Sequence, residues 1–293
     1  MSQKNFVPVI AVLNMKGGVG KTTISAHVLR VLFERKRAGT LLIDLDPQFN
    51  LTQALLTKEK YDELKNANIT IMSVMEAPPD VGLFEVTTSS VPPPSPEEVC
   101  YGFYTFRQMD PPQDLDLVPG DFRLVKYSLM DDNKKLVGVK KRFIEFIQSA
   151  KETYKIICID CNPSSSFLTL CALHACTHLL VPVRPDKYSI LGLDILHQFV
   201  NHLPTLSPKP QYIVLLNGMP RKSEAASANI EAELRGHSVF GSRTLARAIH
   251  ETNLLRARPD YTGFATDRRV AWSAKLQTEI GAVADELAAR LGL

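Results

Sequence analysis

The sequence predicts an α/β domain: a doubly wound, mainly parallel sheet flanked by helices on both faces. Three observations carry that expectation. Short continuous apolar runs recur along the chain: "PVIAVLN" (8–14), "GTLLIDLD" (39–46), "YKIICID" (154–160), "HLLVPVR" (178–184) and "QYIVLLN" (211–217). Strands apolar on both faces belong to sheets covered on both sides. After the first run the period becomes helical, with Ile24, Val28 and Leu32 on one stripe that Leu29 and Val31 broaden. The turn between that strand and that helix is glycine-rich, and doubly wound sheets hold ligands at the carboxyl ends of their strands.

The first run enters "NMKGGVGKTT", and its loop supplies Gly17, Gly18, Val19, Gly20, Lys21, Thr22 and Thr23. Strand, glycine turn and helix together form the context of a phosphate loop. Glycines let successive N–H groups converge on phosphate oxygens, and the helix N-terminus adds its positive end. Lys21 then reaches the β- and γ-phosphates of ATP, the Thr22 hydroxyl faces Mg²⁺, and Thr23 faces the α-phosphate. A purely structural glycine turn is the plain alternative. The spacing G-x-x-x-x-G-K-[ST] fails by one position, because Met15 stands where the first glycine belongs. The next residue, Lys16, is a second cation. Two ammonium groups in one site repel, so Lys16 makes sense if it crosses to a phosphate held by a partner subunit.

The second run ends with two carboxylates, Asp44 and Asp46, opposite the loop; Asp44 also reads as a strand-end cap. From 58 to 119 the alternation breaks, and "APPD", "VPPPSPEEV" and "MDPPQ" punctuate the stretch. It reads as an insertion carried on a single domain of residues 1–293, with "PEEVCYGFYTF" a short ordered element. The bland reading is a surface excursion; the sharper one is a partner-docking or dimer-edge element. The end of the chain, "VAWSAKLQTEIGAVADELAARLGL", reads as an amphipathic closing helix.

Bulk properties narrow the class. The 293 residues carry a net charge of +3 and are 45% apolar, an ordinary globular composition that neither demands nor excludes nucleic acid. No signal-peptide pattern and no apolar run of roughly 18 residues is present, so a cytoplasmic protein is expected. Five cysteines are expected as reduced core thiols. Cys158 and Cys161 lie three apart in a strand and point to opposite faces, and Cys171 and Cys176 are out of phase on a helix.

Taken together, these motifs resemble the deviant Walker A ATPases of the ParA/MinD family, whose loop reads K-G-G-x-G-K-[ST]. In that family the first lysine, here Lys16, contacts the nucleotide of the other protomer in an ATP-bridged homodimer. "LLIDLDPQFNLTQAL" is similar to the family's D-x-D-P-Q-G-N-L-T segment, which implies that Asp46 orients the attacking water and Asp44 lies nearer the metal. Phe49 replaces the usual glycine. "IICIDCNPSSS" resembles the family's metal-binding strand, implying that Asp160 holds Mg²⁺ through water, with Pro163 kept and Asn162 in place of a proline. Asn217, in "YIVLLNGMP", stands where related ATPases contact adenine, although a strand-end asparagine also caps turns. The resemblance covers most of the chain outside 58–119 and is closest to Soj-like partition ATPases.

A family of this kind implies non-specific DNA binding by the ATP dimer, nucleoid association, and a ParB-like protein that stimulates hydrolysis. Arg243, Arg247, Arg256, Arg258, Arg268 and Arg269 are the candidate DNA contacts, diluted by Glu251, Asp260 and Asp267. A solvated mixed-charge face is the alternative. Arg221 and Lys222 are further cations near the nucleotide. A MinD-like membrane anchor is disfavoured, since "ADELAARLGL" carries two acidic residues and no aromatic anchor. A nitrogenase-type cluster and an N-terminal helix-turn-helix are disfavoured as well. A switch that recruits a protein cargo through 58–119, without DNA, is the competing function.

Overall fold

The computed structural model describes residues 6–78, 82–87, 90–130, 133–164, 166–222, 224–256 and 261–293. Eight strands form a sheet in the order β3-β4-β2-β5-β1-β6-β7-β8. They are β1 (Val9–Val12), β2 (Thr40–Asp44), β3 (Tyr101–Phe106), β4 (Gln113–Val118), β5 (Ile156–Asp160), β6 (His178–Val183), β7 (Gln211–Met219) and β8 (Ile249–His250). Every pairing is parallel except β3 with β4. All residues of β1, β2, β5 and β6 are buried, as continuous apolar runs require.

Two apolar layers cover the sheet. On one face lie α1 (Lys21–Lys36) and α10 (Ser273–Leu291), packed on each other. Ile24, Val28 and Leu32 are fully buried there against Leu276, Ile280, Val283 and Leu287 of α10. Each such side chain contributes about 1.5–3 kcal/mol on leaving water. The opposite face carries α4 (Ile71–Met75), α6 (Asn133–Thr153), α7 (Phe167–Ala175), α8 (Lys187–His202) and α9 (Ala225–Gly236). Cys158 joins the first layer and Cys161 the second, so the two thiols do face apart. Among the described residues no helix is long and apolar enough to cross a membrane.

The segment 58–119 holds its expected ordered element at "PEEVCYGFYTF" and carries further regular structure around it. It begins with α3 (Lys58–Asn66) and α4, passes through the short α5 (Pro96–Val99), and then supplies both β3 and β4. β4 pairs in parallel with β2 from Thr40–Leu115 to Ile43–Val118, so this stretch extends the main sheet rather than decorating it. Strands that are not buried on both faces explain the missing signal: β3, at the edge, alternates between exposed and partly buried residues, and "QDLDLV" carries polar residues on one face.

Parallel register decides what meets at the functional edge. Val12 of β1 lies beside Asp160 of β5, and Asp160 lies beside Asp44 of β2. The carboxyl ends of three central strands therefore converge where α1 begins.

Candidate active site

The loop from Leu13 to Gly20 hangs from β1 and is braced by its neighbours. The Asn14 amide donates to the Pro182 carbonyl at 2.8 Å, and its Oδ1 accepts the Lys16 N–H at 2.9 Å. Gly18 and Gly20 have φ of 73° and 93°, the left-handed region that only glycine enters freely. A Cβ on Gly20 would also collide with the Asn217 amide. That amide donates to the Val19 carbonyl at 2.7 Å, which clamps the loop from β7.

Next to the loop is a cavity of about 680 Å³. One wall is Gly17, Gly18, Gly20, Lys21, Thr22 and Thr23; the facing wall includes Asp46, Gln48 and Pro163. Lys21 is buried, and its ammonium donates to the Lys16 and Asn14 carbonyls at 3.2 and 3.4 Å. Burial lowers its pKa, opposed by Asp160 and Asp46. Asp160 stands behind Thr22: its two oxygens accept the Thr22 hydroxyl at 2.8 Å and the Ser25 hydroxyl at 2.7 Å. Burial raises its pKa.

The two carboxylates after β2 separate. Asp46 reaches the cavity, anchored by the Gln48 N–H at 2.9 Å, and burial raises its pKa against the pull of Gln48 and Lys21. Asp44 is fully buried and lies outside the cavity lining. Its Oδ2 accepts both the Thr52 N–H at 2.8 Å and the Thr52 hydroxyl at 2.7 Å, in the first turn of α2 (Asn50–Leu55). Asp44 therefore braces the first turn of α2 and stands beside Asp160 in the sheet register. Phe49, in the usual glycine position, adopts φ 41° and stacks on Tyr61 at 5.1 Å, so the loop keeps its left-handed turn despite the side chain.

Lys16 points away from its own cavity. Its ammonium pairs with both oxygens of Asp186 at 2.7 and 2.8 Å and lies 5.8 Å from the Tyr188 ring centroid. Asp186 is the N-cap of α8, accepting the Ser189 N–H at 2.9 Å. Asn217 is likewise turned toward the loop, its amide held by the Val19 carbonyl, and is not part of the cavity lining.

A family model described as an AAA domain matches residues 7–209. A chromosome-partitioning ATPase Soj of Treponema pallidum is 31% identical over 196 residues, covering 65% of this chain and 62% of that one. The chain belongs to the ParA-like ATPases. A Rhizobium rhizogenes relative is 30% identical over 193 residues, 64% of this chain but only 42% of its own length. Among solved structures, cobyrinic acid a,c-diamide synthase from Mycobacterium smegmatis, with bound ADP and magnesium, superposes with a TM-score of 0.68 at 18% identity. That match covers 98% of this chain and 97% of the other. The structure of pNOB8 ParA bound to nonspecific DNA gives 0.65 at 18% identity, covering 98% and 99%. At that identity the likeness concerns the fold.

In this ParA-like chain the five described candidate arginines are not one face. Arg256 and Arg268 line the far wall of the nucleotide cavity with Tyr261, Thr262 and Gly263, and Arg268 stacks 4.7 Å from the Tyr261 ring centroid. Arg243 lies 5.8 Å from the Tyr212 ring, beside β7. Arg247 and Arg269 are exposed, and Arg258 lies outside the described residues. Functional neighbours that sequence reasoning passed over are Ser25, Thr52, Asp186 and His27. Ser25 was legible as the residue one helical turn past Thr22. Asp186 was legible as an N-cap with Ser189 three residues on. His27 is a buried cavity-lining imidazole with an unpartnered Nδ1, and burial pulls its pKa down to about 4.

Proposed function

We propose that this chain is an ATP-dependent, dimerising ATPase that binds DNA without sequence preference and acts in partition or positioning of a plasmid or chromosome. The observation that carries the reading is the division of labour between the two lysines. Lys21 is buried in the loop of its own cavity, whereas Lys16 lies outside that cavity on the surface, where a second subunit can meet it.

The residues present fit a nucleotide with Mg²⁺. Gly17 and Gly18 border the cavity with nothing within 4 Å of where a Cβ would stand, leaving the backbone open to a phosphate. Thr22, with Asp160 behind it, would hold Mg²⁺, which compensates phosphate charge when bound. Lys21, buried beside Asp160 and Asp46, would pull on phosphate oxygens. Asp46 holds a carboxylate oxygen at the cavity wall, where it orients water for attack; positioning of this kind dominates phosphoryl transfer. A ParB-like partner would stimulate a reaction that is slow in the chain alone. Relatives named as partition ATPases and the pNOB8 ParA complex with DNA support the cargo assignment.

The test is DNA co-sedimentation with ATP, with ADP and without nucleotide, across a salt series, with oligomeric state measured in parallel. Binding is expected only with ATP and to fall steeply with salt, as phosphate contacts require. A chain that dimerises with ATP yet binds no DNA at low salt is a protein-cargo switch, and the DNA reading fails.

A further inference from the structure

Trp272 is the only tryptophan in the chain, and its side chain is placed where neither packing nor backbone preference would put it. It is 77% exposed. Its φ is 69°, the left-handed region that residues with bulky side chains avoid. It precedes α10 in a turn closed by the Ser273 N–H on the Val270 carbonyl at 3.1 Å. Glycine would adopt this backbone without strain. Retaining a large aromatic here, with its ring in water, points to a role outside the fold.

The charges around it point to the ligand. From Arg268 to Thr278 the sequence holds three cations and no acidic residue. Arg268 turns inward onto Tyr261, but Arg269 and Lys275 are exposed, and neither pairs with a carboxylate among the described residues. The flanking acids are occupied elsewhere. Asp267 holds Arg30 and the Tyr104 hydroxyl, and Glu279 holds His250 and Arg221. The tip is also continuous with the nucleotide cavity, because Ala265 and Arg268 of the same segment line its wall.

We propose that Arg269, Trp272 and Lys275 form a nucleic-acid contact: the two cations meet backbone phosphates, and the indole lies against a base or sugar. This rests on the DNA-binding reading above and names where that binding occurs. Paired cations beside an exposed aromatic match how proteins hold strands without reading sequence. A lipid surface fits less well, because only Val270 accompanies the indole as an apolar anchor.

The lone tryptophan is its own reporter. Emission from the full chain, with Mg²⁺ and a slowly hydrolysed ATP analogue, would be followed against random-sequence duplex DNA, single-stranded DNA and phosphatidylglycerol vesicles. Quenching by duplex, or by single strands, reversed by salt, is expected and tells which form engages the tip. A response to vesicles alone overturns the proposal. DNA binding by mobility shift with unchanged emission overturns it too, while the partition reading stands. Absence of any DNA binding takes both down. Trp272→Gly separates contact from folding: it is expected to melt no lower than the wild type, yet bind DNA at least about five-fold more weakly. Arg269→Ala with Lys275→Ala should shallow the log–log salt slope by about two per subunit in contact, about four for the dimer. Wild-type affinity in Trp272→Gly would refute the assignment.

Discussion

Replacing Asp186 with asparagine isolates what holds Lys16 back. Asp186 does two jobs: it caps α8 through the Ser189 N–H, and it grips the Lys16 ammonium with both oxygens. Asparagine caps about as well as aspartate, so the helix should keep its start and the melting temperature should hardly move. The ion pair, however, is lost. Its side chains are 32% and 36% exposed, so solvent screens it and its worth is about 0.5–1 kcal/mol. That corresponds to about a two- to five-fold bias per subunit toward the parked lysine. A symmetric dimer frees two lysines, so its dissociation constant should fall by the square, about four- to twenty-five-fold. Sedimentation velocity with a slowly hydrolysed ATP analogue reads this directly, and the gain should shrink as salt rises. Lys16→Ala should weaken dimers and erase the effect of Asp186→Asn in the double variant. A folded Asp186→Asn chain that dimerises no better than wild type would refute the reasoning.

Three further outcomes follow from the same geometry. Burial and the nearby Asp160 push the Asp44 carboxyl up to about 8 in the folded chain, above its unfolded value near 3.8. Its contribution is thus complete below the unfolded pKa and lost as pH rises through about 8. Nucleotide-free protein should melt progressively lower as pH climbs from about 5 to 8 and level off above that, and Asp44→Asn should flatten that slope relative to wild type. A parallel slope in the variant would exclude Asp44 as its source. Gly20→Ala must hold a left-handed backbone, at about 1–2 kcal/mol, and push aside the Asn217 amide. Fluorescent ATP-analogue binding should weaken at least ten-fold in a chain that still folds. Asp46→Ala should accumulate ATP-dependent dimers with turnover reduced by about 100-fold or more. Undiminished phosphate release would move the catalytic role to another residue.

How much of this was legible depended on whether a signal was local. The phosphate loop, the buried central strands and the Ile24–Val28–Leu32 stripe are statements about neighbours in sequence, and the structure places them as expected. β3 and β4 were hidden for a physical reason: neither is apolar on both faces, and the prolines at 111 and 112 read as loop beside a strand of alternating polarity. Asp44 and Asp46 are two residues apart and chemically identical. What separates them is the parallel register of β2 on β5 and the distant N–H and hydroxyl of Thr52, which claim Asp44 and leave Asp46 to the cavity. The Lys16–Asp186 pair spans 170 residues and could be inferred only as a lysine without a use in its own site.

The arginines carry the same lesson into function. Counted along the sequence, 243–269 is a basic stretch; folded, its charge is divided between two tasks. Arg256 and Arg268 sit on the cavity wall. Arg269 lies one residue beyond Arg268 and faces water. A nucleotide that drew on Arg268 would act on the segment whose next residues present Arg269 and Trp272 outward. Coupling between the two sites then needs no long pathway. It needs only that one short segment, tied to α10 at one end and lining the cavity at the other, settles differently when the cavity is filled. Such coupling is reciprocal, so DNA held at the tip should tighten the grip on nucleotide by the same factor by which nucleotide tightens the grip on DNA.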